Sequence, residues 1–150
     1  MKQQRNTRQR QLVLDEIDRM PAQRREVFRL SRIEGQLVLD TVRSRRDHPT
    51  ADQIYQSVHA VDAHVSRGTV YRNLNLLCDK QEIFRVVMSD CDRFDLRTDP
   101  HYHMRCVACG RVEDVDSPYD QEYDLALAQK TGYQILCHRL VVEGICPDCQ

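Results

Sequence analysis

With 150 residues, no Trp and three Phe, the chain has room for one or two small domains with modest cores that a metal staple would help to hold. Its apolar stretches are short and broken by charge, which reads as neither signal peptide nor membrane span, and seven Cys with four in paired spacing fit a reducing cytoplasm better than a disulfide framework. The net charge of -1 hides an asymmetry: residues 1–46 carry 12 Lys/Arg against 6 Asp/Glu and residues 47–150 carry 10 against 17, so a basic front suits a polyanion.

The pentapeptide Gln-Leu-Val-Leu-Asp occurs at residues 11–15 and again at 36–40. Pro21 near a helix start and Gly35 after its end punctuate the amphipathic stretch between the copies. Residues 11–35 therefore read as an insertion or duplication. The second copy, contiguous with His48, is expected to hold the structural position, with the first displaced as an extra helix.

Thr50 and Gln53 form a capping box, predicting a helix to about Ala60 with Ile54, Tyr55 and Val58 inward. After a link at 61–65, a second start at Ser66 leads to Val70, Leu74 and Leu77 as one buried stripe. Arg67, Thr69, Tyr71, Arg72, Asn73 and Asn75 are expected on the open face. Two short helices with a tight link, the second polar and basic outside, predict a helix-turn-helix. Its leading DNA-contact candidates are Tyr71 and Arg72, with Arg67, Thr69 and Asn75 beside them. Residues 83–88 and 93–96, joined by the polar link 89–92, predict a wing hairpin. Beyond Pro100 come a predicted strand at 111–115, a helix at 119–130 with Gly132 as C-cap, and a strand at 133–143. The reading is an α+β chain: a winged helix-turn-helix over 1–94, a hinge at 95–100, and a small α/β domain over 101–150.

Two kinds of metal donor stand side by side in the second half. Cys106 and Cys109 are answered by Cys146 and Cys149, four soft thiols that can close a tetrahedral Zn²⁺ site with no position left for substrate. His101 and His103 alternate along an extended segment and so share a face; with nearby carboxylates they form a harder set suited to Fe²⁺ or Mn²⁺.

At these residues the chain resembles the ferric uptake regulator family of metal-dependent repressors, most of all its peroxide-responsive branch, PerR. The resemblance is carried by His48-Pro49-Thr50-Ala51-Asp52, Thr69-Val70-Tyr71-Arg72-Asn73-Leu74, Arg93-Phe94-Asp95 and the His-x-His-x-x-Cys-x-x-Cys-Gly run from His101. It implies structural Zn²⁺ at Cys106, Cys109, Cys146 and Cys149, and regulatory Fe²⁺ or Mn²⁺ at His48, Asp95, His101, His103 and Asp114. Aspartate at 95 and 114, where iron sensors usually have glutamate, points to the peroxide-responsive branch. That branch implies oxidation of His48 or His101 and release of DNA. Pro100 stands where a further metal site of some members has a histidine. The family also implies a cytoplasmic, non-enzymatic homodimer on a palindromic operator, with the domains over 101–150 pairing. Alternatives are an iron- or manganese-uptake regulator using the metal as corepressor only, a zinc enzyme such as a deaminase, and a zinc-ribbon interaction module. The deaminase lacks its His-x-Glu and Pro-Cys-x-x-Cys signatures here.

Overall fold

The structure, a computed structural model, describes residues 21–150. The first pentapeptide copy and the basic start at 2–10 lie outside the described residues. Helix α1 spans Ala22–Ser44, α2 Ala51–Val61 and α3 Arg67–Asp79, followed by the strands β1 Phe84–Val86 and β2 Arg93–Asp95. Strands β3 Tyr102–Cys106 and β4 Val112–Val115, helix α4 Gln121–Thr131, strand β5 Val141–Gly144 and a 3₁₀ turn Pro147–Cys149 complete the chain.

Local chemistry sets the first half. The Thr50 hydroxyl accepts from the Gln53 backbone N–H at 3.1 Å and the Gln53 amide oxygen accepts from the Thr50 N–H at 2.8 Å, so the predicted capping box is formed. Ser66 caps α3 in the same way, accepting from the Thr69 N–H at 3.1 Å. Ile54 and Val58 from α2 meet Val70, Leu74 and Leu77 from α3, with Val38, Leu39 and Val42 from α1 closing the core. The second pentapeptide copy thus supplies core residues.

Two expectations fail here. Gly35 does not end a helix: α1 runs unbroken from Ala22 to Ser44. A Cβ at Gly35 would lie 2.9 Å from Asn73 Oδ1, so the glycine serves a close helix crossing rather than a stop. Asn73 is not on the open face either; it is buried, and its Nδ2 donates to the Thr69 carbonyl at 2.9 Å. Three residues from Val70 and four from Leu77, it shares their side of the helix.

The wing hairpin forms, trimmed to three residues per strand, with Arg85 opposite Phe94. It is tied back to the start of α2, where the Phe94 N–H donates to the Pro49 carbonyl at 3.0 Å and Thr50 bridges Arg93. The second sheet has the order β4-β3-β5, with β3 antiparallel to β4 and parallel to β5. The strand predicted at 133–143 exists only as Val141–Gly144. Ahead of it the chain is held by side chains rather than a ladder. His138 lies 2.8 Å from Asp124 Oδ1 through Nδ1 and 2.9 Å from the Tyr102 hydroxyl through Nε2, while its backbone N–H donates to the Tyr119 hydroxyl at 2.7 Å. Gly132, at φ +74°, ends α4 as predicted. Among the described residues no helix is long and apolar enough to cross a membrane.

Candidate functional site

The parallel pairing of β3 and β5 sets Cys106 beside Gly144, and each strand runs straight into a cysteine knuckle. The first knuckle turns at Gly110, φ +75°, whose N–H donates to the Cys106 carbonyl at 2.9 Å; the second is the 3₁₀ turn, in which the Cys149 N–H donates to the Cys146 carbonyl at 2.9 Å. All four sulfurs lie within 4.8 Å of one another, and Cys109 and Cys146 are 3.8 Å apart. Zn–S bonds of about 2.3 Å in a tetrahedron require sulfurs about 3.8 Å apart, so the spacing fits Zn²⁺. The protonation of the cluster agrees. Backbone N–H groups of Cys146 and Cys109 pull the Cys106 thiol down to about 6, while hydrogen bonds with the Cys146 and Cys109 side chains push Cys149 up to about 12. One thiolate suppresses the next, and only a cation among them stabilises four.

The second group is assembled from four separate segments. Because Phe94 is bonded to Pro49, His48 is brought alongside Asp95 at the end of the wing. Because His103 is paired directly with Asp114 across β3 and β4, those side chains point to one face. His101 lies just before β3, and its Nδ1 is 2.7 Å from the Asp99 carbonyl, which turns Nε2 inward. One donor atom from each of the five residues lies within 4.8 Å of all the others. His48 Nε2 is 2.8 Å from Asp114 Oδ1, His101 Nε2 is 3.0 Å from Asp95 Oδ2, and the His101 and His103 Nε2 atoms are 2.9 Å apart.

This is a cation's environment. The three histidines are buried, and Asp95 Oδ2, shut from solvent, faces only their ring nitrogens, His101 Nε2 at 3.0 Å and those of His48 and His103 at 3.7 Å. Burial alone would lift the Asp95 carboxyl, but the His103 and His48 imidazoles and the Arg97 N–H more than offset it and hold it far below the usual carboxylate range. Burial pulls His48 down, and the Asp95 and Asp114 carboxylates outweigh it, so its net shift is upward. Three imidazoles and two carboxylates suit Fe²⁺ or Mn²⁺ better than the soft set. His48 also has a backbone φ of +47°, the left-handed region that few non-glycine residues enter.

On α3, Arg67, Tyr71, Arg72 and Asn75 are exposed and Thr69 is half-buried. Asp52 of α2 organises this surface: it pairs with Arg67, and its carboxylate accepts from the Tyr71 hydroxyl at 3.3 Å. Arg67 also lies over the Tyr55 ring at 4.7 Å. Arg85 of β1 donates to Asn75. Neither Asp52 nor Arg85 was expected on this surface; each reaches it from another element, and no local sequence pattern marks such a contact. No further donor group this tight occurs among the described residues; near Pro100, His138 is engaged through both ring nitrogens.

Helix-turn-helix, wing and metal-donor sheet together define a metal-responsive transcriptional regulator. The sequence model of the ferric uptake regulator family matches residues 29–143, and the chain belongs to that family. It is 33% identical over 118 residues to the peroxide-responsive repressor PerR of Staphylococcus aureus, covering 78% of this chain and 80% of that protein. Its fold is similar to that of the Campylobacter jejuni peroxide stress regulator, with a TM-score of 0.71 at 24% identity over 87% of this chain and 100% of that one. The Helicobacter pylori ferric uptake regulator, described as having three functional metal binding sites, aligns with a TM-score of 0.67 at 22% identity over 78% and 79%.

Proposed function

We propose that this chain is a repressor that binds double-stranded DNA when Fe²⁺ or Mn²⁺ is bound, and releases it when hydrogen peroxide oxidises a histidine at the metal. The observation that carries the reading is the convergence of His48 and Asp95, from the DNA-reading half, with His101, His103 and Asp114, from the second sheet. In this reading residues 1–94 bind DNA, with about 11–35 inserted, residues 95–100 are the hinge, and residues 101–150 dimerise. Cys106, Cys109, Cys146 and Cys149 hold Zn²⁺ for structure; the other five hold the regulatory ion.

Held by these five residues, Fe²⁺ would pass electrons to peroxide and the adjacent imidazole would replace them, one peroxide oxygen ending on the ring and the other leaving as water. The chain's own residues turn that event into a change of shape. Asp99 orients the His101 ring, and His48 carries any loss of donor strength directly into the segment that starts α2. An ion favours the closed arrangement only by binding it better than the open one, and a coupling of ~1–3 kcal/mol changes DNA affinity roughly 5–150-fold. Arg67, Thr69, Tyr71, Arg72 and Asn75 form the surface offered to the major groove. Tyr123, Leu125, Leu136 and Leu140 are exposed apolar side chains of the second half, a surface suited to a second copy. Paired copies present two reading helices to a palindrome, in the cytoplasm.

The test is binding to palindromic DNA obtained by in vitro selection, with and without Mn²⁺, followed by peptide mass spectrometry of iron-loaded protein after peroxide. One oxygen added to His48 or His101, together with DNA release, is expected. Oxidation confined to sulfur overturns the histidine route. Iron-loaded protein that stays on DNA unmodified makes the metal a corepressor alone.

A further inference from the structure

The two halves also meet where there is no metal donor. Asp90 lies in the turn between β1 and β2. Its Oδ2 accepts from Arg93 Nη2 at 3.2 Å and lies 3.3 Å from Nη2 of Arg105, on β3 of the other half. Arg105 Nη1 in turn donates to Glu143 Oε1 at 2.9 Å, and Arg105 and Glu143 are register partners in the parallel β3/β5 pair. One carboxylate of the wing is therefore held between an arginine of its own hairpin and an arginine anchored in the second sheet.

These are not ordinary surface ion pairs. The side chains of Arg93 and Arg105 are 9% and 16% exposed, against 46% for Arg97 in its pair with Asp99. Arg105 Nε is shut from solvent without a partner. Its carboxylate partners Asp90 and Glu143 are more open, 38% and 53% exposed, so the pairs are partly screened, and the largely covered guanidinium favours the arrangement of wing and sheet that keeps both in place.

We propose that Asp90 and Arg105 form a second, metal-independent strut that holds wing and sheet in the arrangement the regulatory ion requires. They are positioning residues: neither is among the metal donors. The proposal rests on the reading of the His48–Asp114 group as an inter-half clamp. Strut and ion then favour the same closed state. A protein that is closed only part of the time binds the ion more weakly in proportion to the closed fraction.

The experiment uses full-length, zinc-loaded protein and the variants Asp90→Asn, Arg105→Gln, Arg105→Lys and the double Asp90→Asn/Arg105→Gln. Mn²⁺ binding is titrated by electron paramagnetic resonance. The spacing between α3 and α4 in protein without Mn²⁺ is read from paired spin labels. In Asp90→Asn and Arg105→Gln the Mn²⁺ concentration for half-saturation is expected to rise about two- to fivefold, the range of a partly exposed ion pair. The double variant is expected to rise by less than the product of the two single rises, because the Asp90–Arg105 contact is shared while Asp90–Arg93 and Arg105–Glu143 are each lost in only one single variant. Arg105→Lys should recover part of the loss, the spacing distribution should broaden in both neutral variants, and zinc content should stay unchanged. Wild-type half-saturation together with wild-type spacing in Asp90→Asn overturns the strut. If Mn²⁺ leaves the spacing of the unmutated protein unaltered, the clamp reading fails instead, and the spacing in the variants alone decides the strut.

Discussion

The four-cysteine group and the histidine–aspartate group share strand β3, yet they draw on the chain in different ways. Cys106, Cys109, Cys146 and Cys149 follow two adjacent strands of one sheet, so an ion there joins parts that already belong together. The other group takes His48 from before α2 and Asp95 from the wing, then His101, His103 and Asp114 from the second sheet, so an ion there joins parts that could separate. Equal compactness of donors hides unequal consequences of losing them. On the proposed reading, one centre maintains a domain and the other selects an orientation.

The largest expected effect breaks the first centre. Apparent structural zinc binding of ~10–16 kcal/mol exceeds or matches the ~5–15 kcal/mol that stabilises a whole domain. Chelating the zinc, or Cys106→Ser, is therefore expected to unfold the second half, read as lost strand signal in circular dichroism and lost dimeric mass in scattering. A chelated protein with both intact would remove the distinction between the centres. Next comes His103→Ala, expected to lower Mn²⁺ affinity by at least about 10–100-fold, since even outer partners of metal ligands matter that much. Zinc content and circular dichroism should not change; joint loss of both metals would show one centre rather than two.

Acid should separate them more gently. His48 sits above its ordinary 6.5, so protons compete for its nitrogen from above that pH, and Mn²⁺ occupancy is expected to fall as pH drops through this range. Without Mn²⁺ the same shift has the opposite sign for stability: its contribution is complete below 6.5 and is lost as pH rises through the folded value. Metal analysis after dialysis across about pH 7.5 to 6 checks this, with zinc expected to remain. The smallest effect is a baseline away from both centres. Gly35→Ala places a methyl against Asn73 Oδ1 and is expected to cost about 1 kcal/mol in thermal unfolding, recovered in part by adding Asn73→Ala, with neither metal affected.

Capping and stripe made the helix-turn-helix legible, because Thr50, Gln53, Ser66, Val70, Leu74 and Leu77 each act through neighbours within two turns of helix. The cysteine spacing was legible for a similar reason: each pair closes its own short turn. Gly35 misled because a glycine that permits a close crossing has the same letter as one that ends a helix, and its partner Asn73 lies 38 positions on. Residues 133–140 have strand-like composition but precede the β3–β5 register, which runs only from His103–Val141 to Cys106–Gly144, and His138 is held there by side chains instead. The five-residue donor set came from family resemblance, not from spacing; nothing near His48 announces that Asp114 is 66 positions away and 2.8 Å distant. Asp52, Arg85, Asp90 and Arg105 were overlooked because a charge in sequence carries no sign of its partner.

The left-handed turn at His48 bears on how quickly the protein can let go. A non-glycine residue in that conformation forgoes about 1–2 kcal/mol relative to its preferred backbone. While the imidazole is anchored, that energy is stored at the entry to α2, one residue from the carbonyl that holds the wing. On the proposed reading, loss of that anchor would let this one peptide relax toward its preferred backbone at the entry to the helix-turn-helix, like a latch sprung before it is touched.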